Sequence, residues 1–376
     1  MKIAAIVCEF NPLHNGHARL LSLARERADA VVCVMSGSVV QRGELALLDK
    51  YTRAVHAVRA GADLVLELPA QYTLSGAPQF AAGAVAIANA LNGETTLFFG
   101  SECGDAATLK TAAEMLSSDA VNSEIARLMA TGSSYPSAVS AAAKTCASTD
   151  VERAAAQALD SPNNVLGIEY IKAIIDTGSK IDCDTIARPG YDARLAPTSS
   201  QVRKDALAGT DVSPSIPDGV ARSIAGFAPS FAARDDRLFA LIKYLVPHAP
   251  SGIHDDREGL SDRLRHAASA ASSLAEYLES AKVKRYPMAR IKRLTLNTLI
   301  GNKNMHSDLV GHAPEYVNVL AAKKTSADAL LSGVKAAVCA TRRDLERFEE
   351  EFSLTARADD LFEAVCYPFA RNARFV

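Results

Sequence analysis

The chain has 376 residues, 48% of them hydrophobic and 22% charged, which is enough apolar material for two ordinary domains and excludes disorder, collagen-like repeats and a disulfide scaffold. Its 41 Lys and Arg against 43 Asp and Glu leave a formal net charge of −2, so overall charge argues neither for nor against a nucleic-acid partner. The seven cysteines, at 8, 33, 103, 146, 183, 339 and 366, form no Cys-x-x-Cys pair near a His cluster and read as reduced, mostly buried thiols rather than a zinc site.

In chain order, the first elements alternate short β-branched runs with helical patterns, which predicts βα units and a mostly parallel sheet. Lys2 to Cys8 is a strand, Gly16 to Ala28 a helix, and Val31 to Met35 the next strand. In that helix Leu20, Leu21, Leu23 and Ala24 face the sheet, and Arg19, Arg25, Glu26 and Arg27 face water. Helix Tyr51 to Ala60 stops at Gly61; Ala62 to Leu68 and Thr95 to Phe99 are strands closed by Pro69 and Gly100. An alanine-rich helical insertion fills about 105 to 160. Asn164 to Ile175 is a helix, Lys180 to Ala187 a strand, and Ser199 to Ala208 a short helix opened by Thr198.

After that the strand signals cease. Gly209 to Gly219, with Pro214 and Pro217, reads as a linker. Helical patterns follow at Phe231 to Leu245, Leu260 to Ser280, Met288 to Ile300, Ala327 to Val338 and Arg342 to Phe352. The expected division is a parallel-sheet α/β domain over residues 1–210 and a mainly α-helical domain over 211–376. No apolar run approaches the ~20 residues that span a bilayer, and the first strand has no cleavage site of a signal peptide. The expected location is the cytoplasm, with no membrane partner.

Chemistry concentrates where the first strand meets the first helix, at Asn11-Pro12-Leu13-His14-Asn15-Gly16-His17. Ligands of parallel sheets bind beyond the carboxyl ends of strands, where a helix N-terminus offers unpaired N–H groups and a positive dipole end to phosphate. Gly16 admits a phosphate close to the backbone. His14 and His17 flank it as donors to oxygens whose charge rises when phosphorus is attacked. The pattern lacks the glycine-rich, lysine-bearing loop of other ATPases.

His-x-Gly-His is the signature of the nucleotidyltransferase superfamily that includes class I aminoacyl-tRNA synthetases, and the match extends further. Val7-Cys8-Glu9-Phe10-Asn11-Pro12-Leu13 before it, Met35-Ser36-Gly37 with Gln41-Arg42-Gly43-Glu44, Gly61 to Pro69, Phe98 to Glu102 and Pro162 to Gly167 together resemble the bacterial tRNA(Met) cytidine acetate ligase family. The resemblance covers most of residues 1–210 and resumes at Lys284-Arg285-Tyr286 and Arg290-Ile291-Lys292-Arg293. Leu13 departs from it, standing where many members carry Phe.

The resemblance implies a Rossmann-like nucleotidyltransferase domain and three substrates, ATP, acetate and elongator tRNA(Met), with Mg2+ carried on the ATP rather than in a protein metal site. Acetate would attack ATP to give acetyl-adenylate, and the wobble cytidine would take the acetyl group to become N4-acetylcytidine. It implies an ATP site along Val7, Cys8, Glu9, Phe10, Asn11, Pro12, Leu13, His14, Asn15, Gly16, His17, Ala18, Arg19 and Leu20, with His14 and His17 catalytic and Gly100, Asn163 and Arg188 as further contacts. Thr198-Ser199-Ser200-Gln201-Val202-Arg203 resembles the second superfamily signature, which puts Ser199 and Ser200 at the β- and γ-phosphates.

Outside these motifs, Arg42 is a candidate for phosphate or RNA. The run from Lys282 to Arg293 carries six cations and no acid, so Lys284, Arg285, Arg290, Lys292 and Arg293 are the expected tRNA contacts, with Tyr286 able to stack on a base. The competing readings are a small-molecule adenylyl- or cytidylyltransferase of coenzyme biosynthesis and a catalytically inactive RNA-binding relative. The long helical half with its basic run disfavours the first, and the intact His pair the second.

Overall fold

A computed structural model describes residues 1–187, 198–256, 259–303, 314–366 and 374–375. The chain opens with β1 (Lys2–Cys8), α1 (Asn15–Arg25) and β2 (Ala30–Ser36), then a hairpin of β3 (Val39–Val40) and β4 (Glu44–Leu45). Helix α2 (Lys50–Arg59), strand β5 (Leu64–Leu68), helices α3 (Ala70–Thr73) and α4 (Ala77–Asn89) and strand β6 (Glu94–Ser101) follow. The alanine-rich insertion is four helices, α5 (Ala106–Leu116), α6 (Asp119–Ala130), α7 (Tyr135–Cys146) and α8 (Asp150–Ala158). Helix α9 (Pro162–Asp176), strand β7 (Asp182–Ala187) and helix α10 (Ser199–Leu207) complete the first half.

Strands β5, β2, β1, β6 and β7 lie side by side in that order, all parallel. Successive side chains of β1 point to opposite faces, and both faces are covered. Ile3 and Ala5 join the apolar cluster that includes α4 and α9, while Ala4 and Ile6 join the one that includes α1 and α2. The strand order turns back at β1, between β2 on one side and β6 on the other. That switch point opens a crevice at the carboxyl ends of the strands, where the first loop emerges.

The second half begins with α11 (Asp218–Phe231), α12 (Arg234–Leu245), α13 (Leu260–Ala270), α14 (Leu274–Ala281) and α15 (Met288–Leu299). It ends with β8 (Tyr316–Ala322), α16 (Ala327–Leu331), β9 (Ala337–Cys339), α17 (Arg342–Leu345), α18 (Glu349–Cys366) and β10 (Arg374–Phe375). Strand β8 pairs antiparallel with β5, and β9 and β10 pair with β8, so the chain returns to the sheet it began.

Four expectations are corrected here. Strand signals do not cease after Ala187: β8 is buried throughout, and its polar Asn318 is paid for by a hydrogen bond to Glu67 of the neighbouring strand. The helix expected over Ala327 to Val338 breaks after Leu331, because Ala337 to Cys339 pairs with β8. The one expected over Leu260 to Ser280 is two helices, the second opened by Ser273, whose hydroxyl accepts the Glu276 N–H. The expected linker ends at Asp218, where α11 starts.

A buried ionic cluster fastens the two halves. Lys50 Nζ lies 2.7 and 2.9 Å from the Glu67 oxygens and 2.7 Å from Asp359 Oδ2, and Ser38 donates to Asp359 Oδ1 at 2.7 Å. Burial acts to lower the Lys50 pKa, but Asp359 and Glu67 outweigh it and hold the ammonium above its ordinary value. No described helix is long and apolar enough to cross a membrane.

Candidate active site

The loop after β1 is shaped to aim two imidazoles. Phe10, at φ 42° in the left-handed region, turns the chain and buries its ring 5.0 Å from the His17 ring. Leu13 is buried in the same apolar cluster, so the residue that departs from the family pattern serves as core. His14 is the N-cap of α1: its Nδ1 accepts the Gly16 N–H at 3.1 Å, and His17 Nδ1 accepts the His14 N–H at 3.3 Å. The rings stack with centroids 3.7 Å apart and planes 20° from parallel.

Because each Nδ1 accepts a backbone proton, each neutral ring carries its own proton on Nε2, an assignment made from the hydrogen-bond pattern. The start of α1 therefore carries two stacked imidazoles, each with Nε2 as its remaining ring N–H, beside the positive end of the helix dipole, while the Gly16, His17 and Ala18 N–H groups are bonded to His14. A Cβ at Gly16 would crowd the His14 ring, standing 3.0 Å from Cε1 and 3.1 Å from Nδ1, so the ring would have to give way. Val7 and Cys8 end β1 beneath the loop, and Ala18, Arg19 and Leu20 continue α1, with Arg19 exposed.

The loop is held from behind by residues that the sequence pattern did not single out. Arg53 of α2 is fully buried and donates to the carbonyls of Leu48 at 3.1 Å, Glu9 at 2.6 Å, Ser36 at 3.1 Å and Gly37. One guanidinium thereby ties the ends of β1 and β2 together, and burial lowers its pKa to about 10. Asn11 Oδ1 accepts the Leu47 N–H at 2.7 Å. Arg53 lies on the face of α2 that carries Lys50 and Ala57, opposite the apolar face of Tyr51, Ala54, Val55 and Val58, so the helical pattern gave no signal of its burial.

The second motif meets the first. Thr198 caps α10 by accepting the Gln201 N–H at 3.2 Å, and Ser199 Oγ donates to the Pro12 carbonyl at 3.4 Å. Arg203 donates to the Asn11 carbonyl at 2.7 Å and to Glu44 Oε2 at 3.2 Å, and its NH2 lies 3.3 Å from the hydroxyl of Ser200, which is exposed. Two helix N-termini, α1 and α10, thus converge on one loop.

On the other side of the switch point, Gly100 lies in β6 opposite Ile186. Asn163 sits at the start of α9 with its Nδ2 2.6 Å from Glu102 Oε1. Glu102 also accepts the N–H groups of Asn163 at 3.3 Å and Asn164 at 2.9 Å, capping a helix whose own N-cap residue, Ser161, makes no side-chain cap. Arg188 lies outside the described residues. The acids on the carboxyl side of the sheet are engaged, Glu67 with Lys50 and Glu102 with α9, and Asp63, at the opposite edge where β5 begins, holds Arg25 and the Val31 N–H. Among the described residues no group of three or more His, Cys, Asp or Glu is placed to hold a metal ion.

The basic run divides. Arg290 pairs with Asp255 at 3.1 Å and stands 4.4 Å over the Tyr286 ring, Lys292 pairs with Glu44 at 2.7 Å, and Arg293 donates to the Gln41 carbonyl at 3.1 Å. Lys292 and Arg293 thereby dock α15 onto the turn between β3 and β4, which supplies a carboxylate and a carbonyl, while Arg290 holds Asp255 in the connection before α13. Lys284 and Arg285, in the connection from α14 to α15, are exposed.

A family model described as HIGH Nucleotidyl Transferase matches residues 1–374. The chain is 35% identical over 344 residues to a tRNA(Met) cytidine acetate ligase of Syntrophotalea carbinolica, covering 85% of this chain and 79% of that one. It is 34% identical over 349 residues to the protein of the same name from Bacillus licheniformis, covering 86% and 82%. Its fold superposes on Thermotoga maritima TmcAL bound with alpha-thio ATP with a TM-score of 0.87 at 27% identity, over 98% of this chain and 95% of that one. For the apo form of the same protein the TM-score is 0.89 at 26% identity, over the full length of both.

Proposed function

The chain belongs to the tRNA(Met) cytidine acetate ligase family, and from that premise we propose that it activates acetate with ATP and passes the acetyl group to the wobble cytidine of elongator tRNA(Met). In the first step an acetate oxygen bonds to the α-phosphorus while the bond to the bridging oxygen of pyrophosphate breaks, giving acetyl-adenylate. In the second, the exocyclic N4 of cytidine attacks the acetyl carbonyl and AMP leaves with the electron pair, giving N4-acetylcytidine once the amine loses its proton.

The observation that carries this reading is the stacked pair of His14 and His17 imidazoles at the strand-order switch point, with α10 converging on the same loop. Such a site contributes position and charge rather than covalent chemistry. ATP would run along residues 7–20, with the base side toward Gly100, Asn163 and Arg188. Its β- and γ-phosphates would meet Ser199 and Ser200, and Mg2+ would travel on those phosphates, retaining waters. Lys284 and Arg285 are the proposed tRNA contacts.

His14→Ala or His17→Ala should lower acetyl-adenylate formation by about 10²-fold or more, as removal of a preorganised donor does. The measurement is acetate-dependent exchange of labelled pyrophosphate into ATP, with circular dichroism to check the fold. His14→Asn, which keeps a capping acceptor, separates loss of the cap from loss of the imidazole. Near-wild-type exchange in either alanine variant would remove the assigned role.

A further inference from the structure

The turn from Gln41 to Glu44 between β3 and β4 is fixed on three sides. Gln41 donates its N–H to Glu9 Oε1 at 2.7 Å and accepts Arg293 on its carbonyl at 3.1 Å. Gly43, at φ 74°, lies so close to α15 that a Cβ would stand 2.4 Å from the Arg293 nitrogen. Glu44 holds Lys292 at 2.7 Å and Arg203 at 3.2 Å.

The fourth residue, Arg42, is different. Its side chain is exposed, and among the described residues it makes no hydrogen bond or ion pair. It lies near enough to Glu9, Glu44 and Arg203 to bias the ionisation of all three. Glu9 is the first residue beyond β1 and leads into the His14 and His17 loop, and Ser36 ends β2 alongside it. The guanidinium is thus rooted at the carboxyl ends of β1 and β2, on a backbone that cannot shift without breaking contacts to β1, α10 and α15.

We propose that Arg42 is the anchor for the carboxylate of acetate, an inference that rests on the ligase function proposed above. Acetate has one charged group and a methyl, so its carboxylate is the only strong handle it offers. That carboxylate must approach an α-phosphate of the same sign to near-attack distance, which a cation beside both permits. A guanidinium presents paired N–H groups that match a carboxylate, and a rigid root preserves that match. As the acetate oxygen bonds to phosphorus and pyrophosphate departs with its electron pair, the carboxylate loses its charge. Arg42 then holds the acyl group less tightly, which suits its onward transfer.

The test is pyrophosphate exchange with the full chain, titrating acetate and ATP separately in the absence of tRNA. Arg42→Ala should raise the KM for acetate about 10- to 100-fold while the KM for ATP stays within about threefold, and Arg42→Lys should recover only part of the loss. A raised KM for ATP with that for acetate unchanged would reassign Arg42 to the nucleotide and overturn the proposal. So would unchanged exchange accompanied by weaker tRNA binding, which would make it an RNA contact. Absence of acetate-dependent exchange in the unsubstituted protein would overturn the ligase function itself, a failure visible before any substitution is compared.

Discussion

Helix α2 and the segment from Lys282 to Arg293 are both rich in cations. On α2 basic side chains recur every third residue as Lys50, Arg53, His56 and Arg59; Lys50 and Arg53 are fully buried cations, and His56, nearly as buried, is neutral. In the later segment Lys282, Lys284 and Arg285 face solvent, while Arg290, Lys292 and Arg293 turn inward to Asp255, Glu44 and Gln41. What separates a structural cation from a surface one is whether the fold brings it an acceptor from a distant segment; Lys282, by contrast, reaches Glu279 on its own exposed turn at 3.4 Å. For Lys50 the acceptors are Glu67 and Asp359, the second 309 positions away in the chain. Local density of charge says nothing about that.

The contrast is most easily broken at Lys50. Lys50→Ala leaves Glu67 and Asp359 buried without a counter-ion and should destabilise the protein by ~3–5 kcal/mol in urea unfolding. Lys292→Ala removes a half-exposed partner of Glu44 and should cost about 1 kcal/mol or less. Equal losses would mean that burial is not what distinguishes the two regions.

A smaller effect sharpens the same point through pH. Burial, with Arg59 nearby, lowers the His56 pKa from 6.5 to about 4. Between those values the unfolded chain binds the extra proton, so stability rises with pH. The contribution of His56 is complete above pH 6.5 and is lost as pH falls toward 4, by up to ~3 kcal/mol. Glu169 works in the opposite sense, since burial raises its carboxyl to about 7 and its contribution fades as pH rises through that value. The difference between the wild type and His56→Gln across pH 4 to 6.5 isolates the histidine, and parallel stability curves would contradict its buried neutral state.

The smallest expected effect belongs to the exposed cations. Replacing Lys284 and Arg285 together by alanine should weaken tRNA binding and reduce the slope of its salt dependence by about 1 to 2, one released counterion for each phosphate contact. Arg290→Ala and Arg293→Ala should leave that slope unchanged while lowering stability. If the inward pair alters the slope and the outward pair does not, the division of the segment is reversed.

The strand-to-helix loop was legible because its information is local. His14, Asn15, Gly16 and His17 cap their own helix, and the same short-range contacts that cap it orient the imidazoles. The parallel strands through β7 were legible for the same reason, since β-branched runs bounded by Gly and Pro report on their own backbone. Gly100 and Asn163 entered as candidates only through family resemblance, and Glu102, which caps α9, was not predicted in that role because its partners lie 61 and 62 positions away.

The sequence alone determined the class of sheet, the helix that begins at the loop after β1, and the pairing of two histidines around a glycine at that helix start. Tertiary structure decided the rest: that β8 returns to pair with β5, that Arg53 ties β1 to β2 from within the core, and that half of a basic run is consumed in docking α15. The physical reason is common to all three. A backbone conformation is set largely by its near neighbours, whereas the partner of a buried charge or an edge strand is chosen by where distant segments come to rest.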